Sequence, residues 1–229
     1  MVWFSLVSKK KKESINKKVE QHILIYPSYL PSIATMVAMA KADKITLEIQ
    51  DNYQKQTYRN RAYIAHSNGK LLLNIPIRHS KSTRHQKTKD VTPENNFSWL
   101  AEHWKSIQVA YRTSPYFEFY EDDLAPLFKE PVLKLQGFNI QILETIAELI
   151  GLETQILTSN VFDKHTELQD MRHLANCKKE PSYNFDTYHQ VFEGNHGRIE
   201  NLSILDLLFN EGPNTLNYLQ SQTLERSPI

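Results

Sequence analysis

Residues 22–50, HILIYPSYLPSIATMVAMAKADKITLEIQ, decide the fold of this chain. The apolar run at 22–26 predicts a buried strand, which the following proline ends. Ser32 is placed to cap a helix with apolar residues at helical spacing, and the alternation that starts at Ile45 predicts a second, half-buried strand. A strand, a helix and a strand in this order indicate a parallel βαβ unit with a right-handed crossover. The loop after the first strand and Asp51 would then lie at one carboxyl edge of a sheet.

The rest of the chain predicts a hairpin and then a mainly helical half that packs on the sheet. Residues 58–64 are predicted to be extended, and Asn68 and Gly69 to form the hairpin turn before a return strand that ends near Ile77. Helical spacing and caps predict helices near 98–111, 114–128, 139–150, 203–209 and 213–219, and a further apolar run predicts a strand at 153–158. Periodicity is absent at 79–96, predicted to be a mobile loop, and at 162–193, predicted to be a long irregular excursion that could lie across a site. The predicted fold class is α/β, an N-terminal βαβ unit with a mixed sheet and hairpin, followed by the helical half.

The composition fits one domain that can bury a core. Of 229 residues, 40% are hydrophobic and 10% aromatic, and we expect a single domain at 21–224 behind a basic, disordered leader at 1–20. The 27 basic and 26 acidic residues give a net charge of +1, which provides no overall attraction toward nucleic acid. No apolar run is long enough to cross a bilayer, and the single cysteine, Cys177, suits a reducing compartment. These observations predict a cytoplasmic protein without nucleic-acid partners or a transmembrane segment.

Cations, amides and tyrosines are concentrated in residues 51–64, DNYQKQTYRNRAYI. If 58–64 is extended, Arg59 and Arg61 share one face, because side chains alternate along a strand. Two neighbouring guanidinium groups offer planar, bidentate donors that suit a carboxylate or a phosphate. A solvated strand face, or ion pairs with Glu48 and Asp51, is the structural alternative from spacing alone. The segment is therefore a candidate site for a small anionic molecule.

Other polar residues give weaker signals. His79 and His85 have no carboxylate or cysteine at metal-ligand spacing, and no glycine-rich phosphate-binding motif is present, so we predict neither a metal nor a cofactor. Asp186, His189 and His196 are residue types that act as general bases, but no nearby nucleophile marks them as part of a catalytic triad. The residues alone therefore leave the reacting groups open.

Five segments together resemble the WbqC-like protein family. They are YPSYLPS at 26–32, DNYQKQTYRNRAYI at 51–64, NGKLLLNIPI at 68–77, TSPYF at 113–117 and NLSILDLLFNEGP at 201–213. The resemblance runs from about residue 22 to residue 220. It implies a role in the synthesis of bacterial surface polysaccharides such as O-antigen, for which the transfer of an amino acid to a sugar has been suggested.

The resemblance also implies site residues, at positions that match the motifs. The expected substrate-binding residues are Tyr53, Lys55, Arg59, Asn60, Arg61 and Asn210, and the candidate catalytic bases are Asp51 and Asp206. The main hypothesis is a transferase of an acyl or aminoacyl group to a sugar or nucleotide-sugar, with the cations holding a small anionic substrate. The alternative is a non-catalytic binding or assembly protein that recognises an anionic glycan precursor or a partner enzyme. The alternative is favoured by Ile25-Tyr26-Pro27, which stands where the family commonly has His-Gln-Pro.

Overall fold

The structure, a computed structural model, describes residues 20–78, 86–178 and 180–225. Its strands are β1 (His22–Ile25), β2 (Lys44–Leu47), β3 (Arg61–His66), β4 (Gly69–Asn74), β5 (Gln155–Thr158) and β6 (Gln169–Asp170). Its helices are α1 (Ile33–Lys41), α2 (Trp99–Tyr111), α3 (Phe117–Leu124), α4 (Leu135–Leu149), α5 (Glu193–His196), α6 (Ile204–Glu211) and α7 (Thr215–Ser221). Short 3-10 turns occupy Thr88–Asp90, Ala125–Phe128, Arg172–Ala175 and Gly212–Asn214. The predicted α/β class is confirmed.

The predicted βαβ unit is also confirmed and forms the centre of a parallel sheet, in which the strand order is β5–β2–β1–β6. Ser32 caps α1 as predicted, since its hydroxyl accepts a hydrogen bond from the amide of Thr35 at 3.4 Å. Alternate side chains of β1 and β2 turn into the core, as the period-2 pattern requires. These side chains, at most 1% exposed, are Ile23, Ile25, Ile45 and Leu47.

The strand order reverses beside β1. From β1 the chain adds β2 and then β5 on one side, and it later places β6 on the other side. In open parallel sheets, ligands bind in the crevice beyond the carboxyl ends of the strands at such a reversal. Tyr26 directly follows β1, and Arg172 begins the 3-10 turn that follows β6. The segments after these two strands therefore border the crevice in which a ligand is expected.

The hairpin of β3 and β4 begins later than predicted, and this changes where Arg59 lies. β3 starts at Arg61, and residues 58–60 form a turn. The amide of Tyr58 donates to the carbonyl of Ala175, and the carbonyl of Tyr58 accepts from the amide of Tyr29, both at 2.8 Å. The prediction that Arg59 and Arg61 share one strand face is therefore wrong, because distant backbone partners hold the turn and only Arg61 belongs to the strand.

The turn of this hairpin is displaced by one residue from the prediction. Ser67 and Asn68 form the turn, and Gly69 opens β4 opposite His66 with a φ of 107°. Glycine adopts such a positive φ without the steric cost of a Cβ atom. Leu73 in β4 and Ile75 just beyond it are buried, as the predicted alternation requires.

The starts of α1 and α6 cap one another. The amide of Ile33 donates to the carbonyl of Leu202 at 3.0 Å, and the amide of Ile204 donates to the carbonyl of Pro31 at 2.8 Å. Ser203 caps α6 as predicted, by accepting from a backbone amide of the first turn. The first N–H groups of a helix have no partner inside the helix, so this exchange satisfies donors of both helices. The C-terminal helices are thereby fixed to the βαβ unit.

Other predicted boundaries are corrected by the structure. α4 begins at Leu135 rather than at residue 139, and α3 begins at Phe117 rather than directly after Ser114. The excursion at 162–193 contains β6 and a 3-10 turn, and residues 86–96 contain another 3-10 turn and two bridges to earlier residues. Residues 79–85, with His79 and His85, and most of the predicted leader lie outside the described residues. No helix in the described parts of the chain is long and apolar enough to cross a bilayer.

Candidate anion-binding site

A cavity of about 410 Å³ lies in the crevice beside β1 and β6. Tyr26 and the 3-10 turn Arg172–Ala175 line it from the ends of these strands, and residues 54–57 line it from the loop after β2. Among the described residues that line it, four are cationic, none is a carboxylate and one is aliphatic. The four cations are Lys55, Arg59, Arg172 and Lys178. This composition suits an anionic, hydroxyl-bearing ligand better than an apolar one.

Arg59 is the most deeply buried of these cations, with 1% of its side chain exposed. Its Nη2 donates to Oδ2 of Asp51 at 2.6 Å, and its Cζ lies 3.7 Å from the centroid of the Tyr26 ring. Nε and Nη1 of Arg59 have no hydrogen-bond partner among the described residues. Buried polar groups are almost always hydrogen-bonded, so two unpaired groups on a buried guanidinium beside a cavity point to a ligand.

Asp51 fixes the position of Arg59. Its carboxylate is 2% exposed and does not line the cavity. Burial raises the pKa of Asp51 above its usual value, while the charge of Arg59 and the hydroxyl of Thr88 act in the opposite direction. The carbonyl of Asp51 also accepts from the amide of Thr88 at 3.1 Å. Asp51 is thus placed to orient Arg59 rather than to touch a molecule in the cavity.

Arg172 lines the cavity, but its donors are already paired. It binds Asp170 through two contacts, Nε to Oδ1 at 2.9 Å and Nη2 to Oδ2 at 2.6 Å. Its Nη1 donates to the carbonyl of Asp163 at 2.7 Å and lies 4.0 Å from Oε2 of Glu48. Arg172 therefore contributes shape and charge to the cavity and ties β6 to the loop that precedes it.

Two hydrogen bonds join the two loops that line the cavity. The amide of Tyr58 donates to the carbonyl of Ala175 at 2.8 Å. The Sγ of Cys177 donates to the carbonyl of Gln56 at 3.0 Å. Because both bonds use main-chain carbonyls, the spacing of the loops does not depend on the charged side chains that line the cavity.

Comparison with known families agrees with the resemblance found in the sequence. The model of the WbqC-like protein family matches residues 26–188, which is more than half of the chain. The chain belongs to the WbqC-like protein family. The matched region of this WbqC-like protein contains all the described residues that line the cavity, and it ends before α6 begins. The motif at 201–213 lies outside it.

One relative shows how far the likeness of this WbqC-like protein extends. It is the "Uncharacterized protein Rv1507c" of Mycobacterium tuberculosis (strain ATCC 25618 / H37Rv), which is 24% identical over 226 residues. The alignment covers 86% of this chain and 96% of the relative. No solved structure matches the chain. The likeness therefore spans most of both proteins.

Four of the predicted site residues of this WbqC-like protein lie at or beside the cavity. Lys55 and Arg59 line it, and Asp51 is ion-paired to Arg59. Tyr53 is half-buried near the same guanidinium, and burial raises the pKa of Tyr53 to about 12 against the opposing charges of Arg59 and Arg61. The structure thus brings together the part of the predicted site that lies at 51–59.

Asn60 and Arg61 contact the hairpin instead of the cavity. The side-chain amide of Asn60 donates to the carbonyl of Ile75 and to Oδ1 of Asn74, both at 3.3 Å. Nε of Arg61 donates to the same oxygen of Asn74 at 3.3 Å. The two side chains therefore join β3 to the end of β4.

Asp206 and Asn210 lie apart from the cavity, in α6. Asp206 is fully buried and accepts from the hydroxyls of Tyr111 at 2.9 Å and Tyr188 at 2.5 Å, and from the side-chain amide of Gln190 at 2.9 Å. Burial raises the pKa of Asp206, and these donors act in the opposite direction. The side chain of Asn210 donates to the carbonyl of Asp206 at 2.7 Å. These two residues thus form an internal cluster that joins α6 to α2 and to residues 188–190.

Sequence reasoning predicted that the excursion at 162–193 could lie across a site, but it named none of the cavity residues that follow β6. His173 and Lys178 lie in a segment without periodicity, and only the strand order brings that segment beside β1. It also missed Asn139 of α4, whose side chain donates to the carbonyls of Arg59 at 2.7 Å and Pro27 at 3.2 Å. The basic residues after β6 were the one signal in the sequence. Among the described residues, no group of three His, Cys, Asp or Glu side chains is arranged to hold a metal ion.

Proposed function

We propose that this protein transfers an acyl or aminoacyl group to a sugar or nucleotide-sugar in the cytoplasm, as a step in bacterial surface-polysaccharide synthesis. The observation that carries the proposal is the cationic cavity at the strand-order reversal, where Nε and Nη1 of the buried Arg59 have no described partner. Membership of the WbqC-like family supports the biological setting that the resemblance implies.

The cavity residues divide into binding and proton-transfer roles. Lys55 and Arg59 hold the anionic group of the substrate, and Asp51 keeps Arg59 in place. His173 also lines the cavity, and imidazole is the commonest general base in enzymes. In this proposal His173 takes the role that sequence reasoning gave to Asp51 or Asp206, since neither carboxylate reaches the cavity.

The groups in the cavity account for the bonds and the proton of the transfer step. A hydroxyl or amino group of the acceptor attacks the carbonyl carbon of the donor, and the new C–O or C–N bond replaces the bond to the leaving group of the donor. The proton that the acceptor loses passes to His173 and then to the leaving group. The charged side chains position the acceptor for this attack, which is a large part of what a binding site contributes to such a reaction.

A product assay tests the proposed transfer. Purified protein is incubated with pairs of nucleotide-sugars and acyl or aminoacyl donors, and products are sought by mass spectrometry. Lys55→Gln should reduce product formation without changing the melting temperature, because Lys55 is exposed, while the exposed Lys105 on α2 provides a matched control, Lys105→Gln. Absence of product for every pair, with binding retained, would rule out the transferase.

The second candidate is a non-catalytic protein that recognises an anionic glycan precursor or a partner enzyme. The position of the two predicted bases favours it, since Asp51 and Asp206 are both buried outside the cavity. A ligand that binds the native state raises the melting temperature by mass action. Stabilisation by a nucleotide-sugar that is lost in Lys55→Gln, together with no turnover, is the result expected for this candidate.

A further inference from the structure

We infer that the ligand of the cavity is a phosphorylated sugar, whose phosphate is bound between Lys55 and Lys178. The inference rests on the proposed function and goes further, because the proposed function leaves open whether the anion is a carboxylate or a phosphate. Lys178 lines the cavity on the segment after β6 and matches no part of the motifs that identified the site in the sequence.

The charges around the cavity favour a dianion. Arg59 is paired with Asp51, and Arg172 is paired with Asp170. The two lysines that line the cavity, Lys55 and Lys178, form no ion pair with a described residue. A carboxylate carries one negative charge, whereas a phosphate monoester carries close to two at neutral pH. A phosphate therefore matches both unpaired lysines, and a carboxylate matches only one.

The backbone positions of the two lysines are held by a contact between their loops. Lys55 precedes Arg59 on one loop, and Lys178 follows the 3-10 turn Arg172–Ala175 on the other. The loops are joined next to these residues, because the Sγ of Cys177 donates to the carbonyl of Gln56 at 3.0 Å. Two flexible ammonium groups thus reach one cavity from anchored positions, which suits the several acceptor oxygens of a phosphate.

Arg59 also lines the cavity and carries donors without a partner among the described residues. Its Nε and Nη1 are buried beside the cavity and have no partner among the described residues. A phosphate offers three terminal oxygens, so it can accept from a guanidinium and from two ammonium groups together. The planar carboxylate has fewer acceptor positions for donors that arrive from separate loops.

The remaining lining residues suit a sugar. Gln54, Gln56 and Asn176 present side-chain amides, which can both donate to and accept from hydroxyl groups. The ring of Tyr26 lies against Arg59, and Ala175 is the one aliphatic residue among the described lining residues. A sugar phosphate therefore fits the lining, and so does the diphosphate of a nucleotide-sugar, whose two phosphoryl groups carry one negative charge each and together match the two lysines.

Isothermal titration calorimetry tests this inference with glucose 1-phosphate, glucuronate and UDP-glucose as probes. Glucose 1-phosphate should bind at least about tenfold more tightly than glucuronate, because hydrogen bonds between charged groups are each worth about a factor of ten or more. Lys55→Gln and Lys178→Gln should each weaken its binding by a similar factor. Both lysines are exposed, so the variants should fold, and Lys105→Gln on α2 is the matched control that should bind like the wild type.

The outcomes separate this inference from the proposed transfer. Equal affinity for glucuronate, no binding of either phosphate, or binding that both cavity variants leave unchanged would overturn the phosphorylated sugar. Phosphate binding without turnover would instead refute the transferase and leave this inference standing. UDP-glucose is the probe for the source of the phosphate. If it binds at least as tightly as glucose 1-phosphate and loses affinity in the same variants, the ligand is a nucleotide-sugar. If it binds more weakly than glucose 1-phosphate, the ligand is a free sugar phosphate.

Discussion

Replacing Asp51 with asparagine removes the one carboxylate that contacts Arg59 among the described residues. Asparagine keeps the shape of the side chain and an acceptor oxygen, but it removes the negative charge. The guanidinium of Arg59, 1% exposed, would then be a buried cation without a counterion. Asp51→Asn therefore tests whether the ion pair holds Arg59 in place.

The cost follows from the burial of both partners. Removing one partner of a buried ion pair costs about 3–5 kcal/mol, and the lower end applies here because asparagine can still accept a hydrogen bond. For a domain of this size, each kcal/mol lowers the melting temperature by about 2–4 °C, so a fall of about 6–12 °C is expected. Binding of an anion would offset part of this cost, since it would supply the missing charge.

Thermal unfolding followed by circular dichroism, with and without glucose 1-phosphate, measures both effects. The melting temperature of Asp51→Asn should fall, and the rise produced by glucose 1-phosphate should be larger than in the wild type. Asp123→Asn, at an exposed position of α3, is the control and should stay within about 0.5 kcal/mol of the wild type. A variant that melts with the wild type and no longer responds to the phosphate would show that Asp51 contacts the ligand itself, and the positioning role would be wrong.

Three further substitutions test the packing of the helical half, away from the cavity. Gly212→Ala should lower the free energy of unfolding, measured in urea titrations, by about 3–5 kcal/mol. A Cβ at this position would lie 2.5 Å from the Tyr116 ring, and the φ of 52° disfavours any side chain. Burial lowers the pKa of His103 to about 4. The native state should therefore lose about 3 kcal/mol of stability as the pH falls from about 6.5 toward 4, because only the unfolded state takes up the proton in that range. Urea titrations across this pH range should show a smaller loss for His103→Gln. Tyr188→Phe removes a donor from the buried carboxylate of Asp206 and should cost about 1–3 kcal/mol in urea titrations without affecting ligand binding.

Controls for these substitutions come from the same chain. Gly137→Ala in α4 places a Cβ where nothing lies within 4 Å, and it should stabilise the helix by about 0.5–1 kcal/mol. A similar loss in both glycine variants would refute the steric argument for Gly212. An unchanged pH dependence in His103→Gln would mean that other groups cause the loss, and weaker ligand binding in Tyr188→Phe would connect the Asp206 cluster to the cavity.

The sequence predicted the parts of the fold that local signals control. Periodicity placed β1, α1 and β2, and serine caps marked the starts of α1 and α6, because these patterns depend only on residues that are near in the chain. The density of cations and amides marked 51–64 as a candidate site, the resemblance added Lys55 and Arg59 as substrate-binding residues, and both residues line the cavity.

What the sequence did not predict depends on contacts between distant segments. The turn that carries Arg59 is held by backbone bonds from Tyr58 to Ala175 and to Tyr29, and no local pattern in 58–64 encodes them. β6 has two residues, too few for a period to be recognised, yet its pairing with β1 brings Lys178 to the cavity. Five of the eleven described lining residues follow β6, and only the strand order places them beside β1.

The C-terminal motif supports the cavity without entering it. Asn201, at the start of that motif, accepts from the amide of Ala34 in α1 at 2.7 Å and donates to Oε1 of Glu180. The same oxygen of Glu180 accepts from the hydroxyl of Tyr58 at 2.8 Å, and Tyr58 is the neighbour of Arg59 in the turn beside the cavity. The segment at 51–64 therefore contributes to the lining of the cavity, and the segment at 201–213 is linked to it through Glu180 and Tyr58, so the two are not halves of one site. Substitution of the exposed lining residue Lys55 should impair binding in a folded protein, whereas substitutions in the C-terminal motif should act through stability.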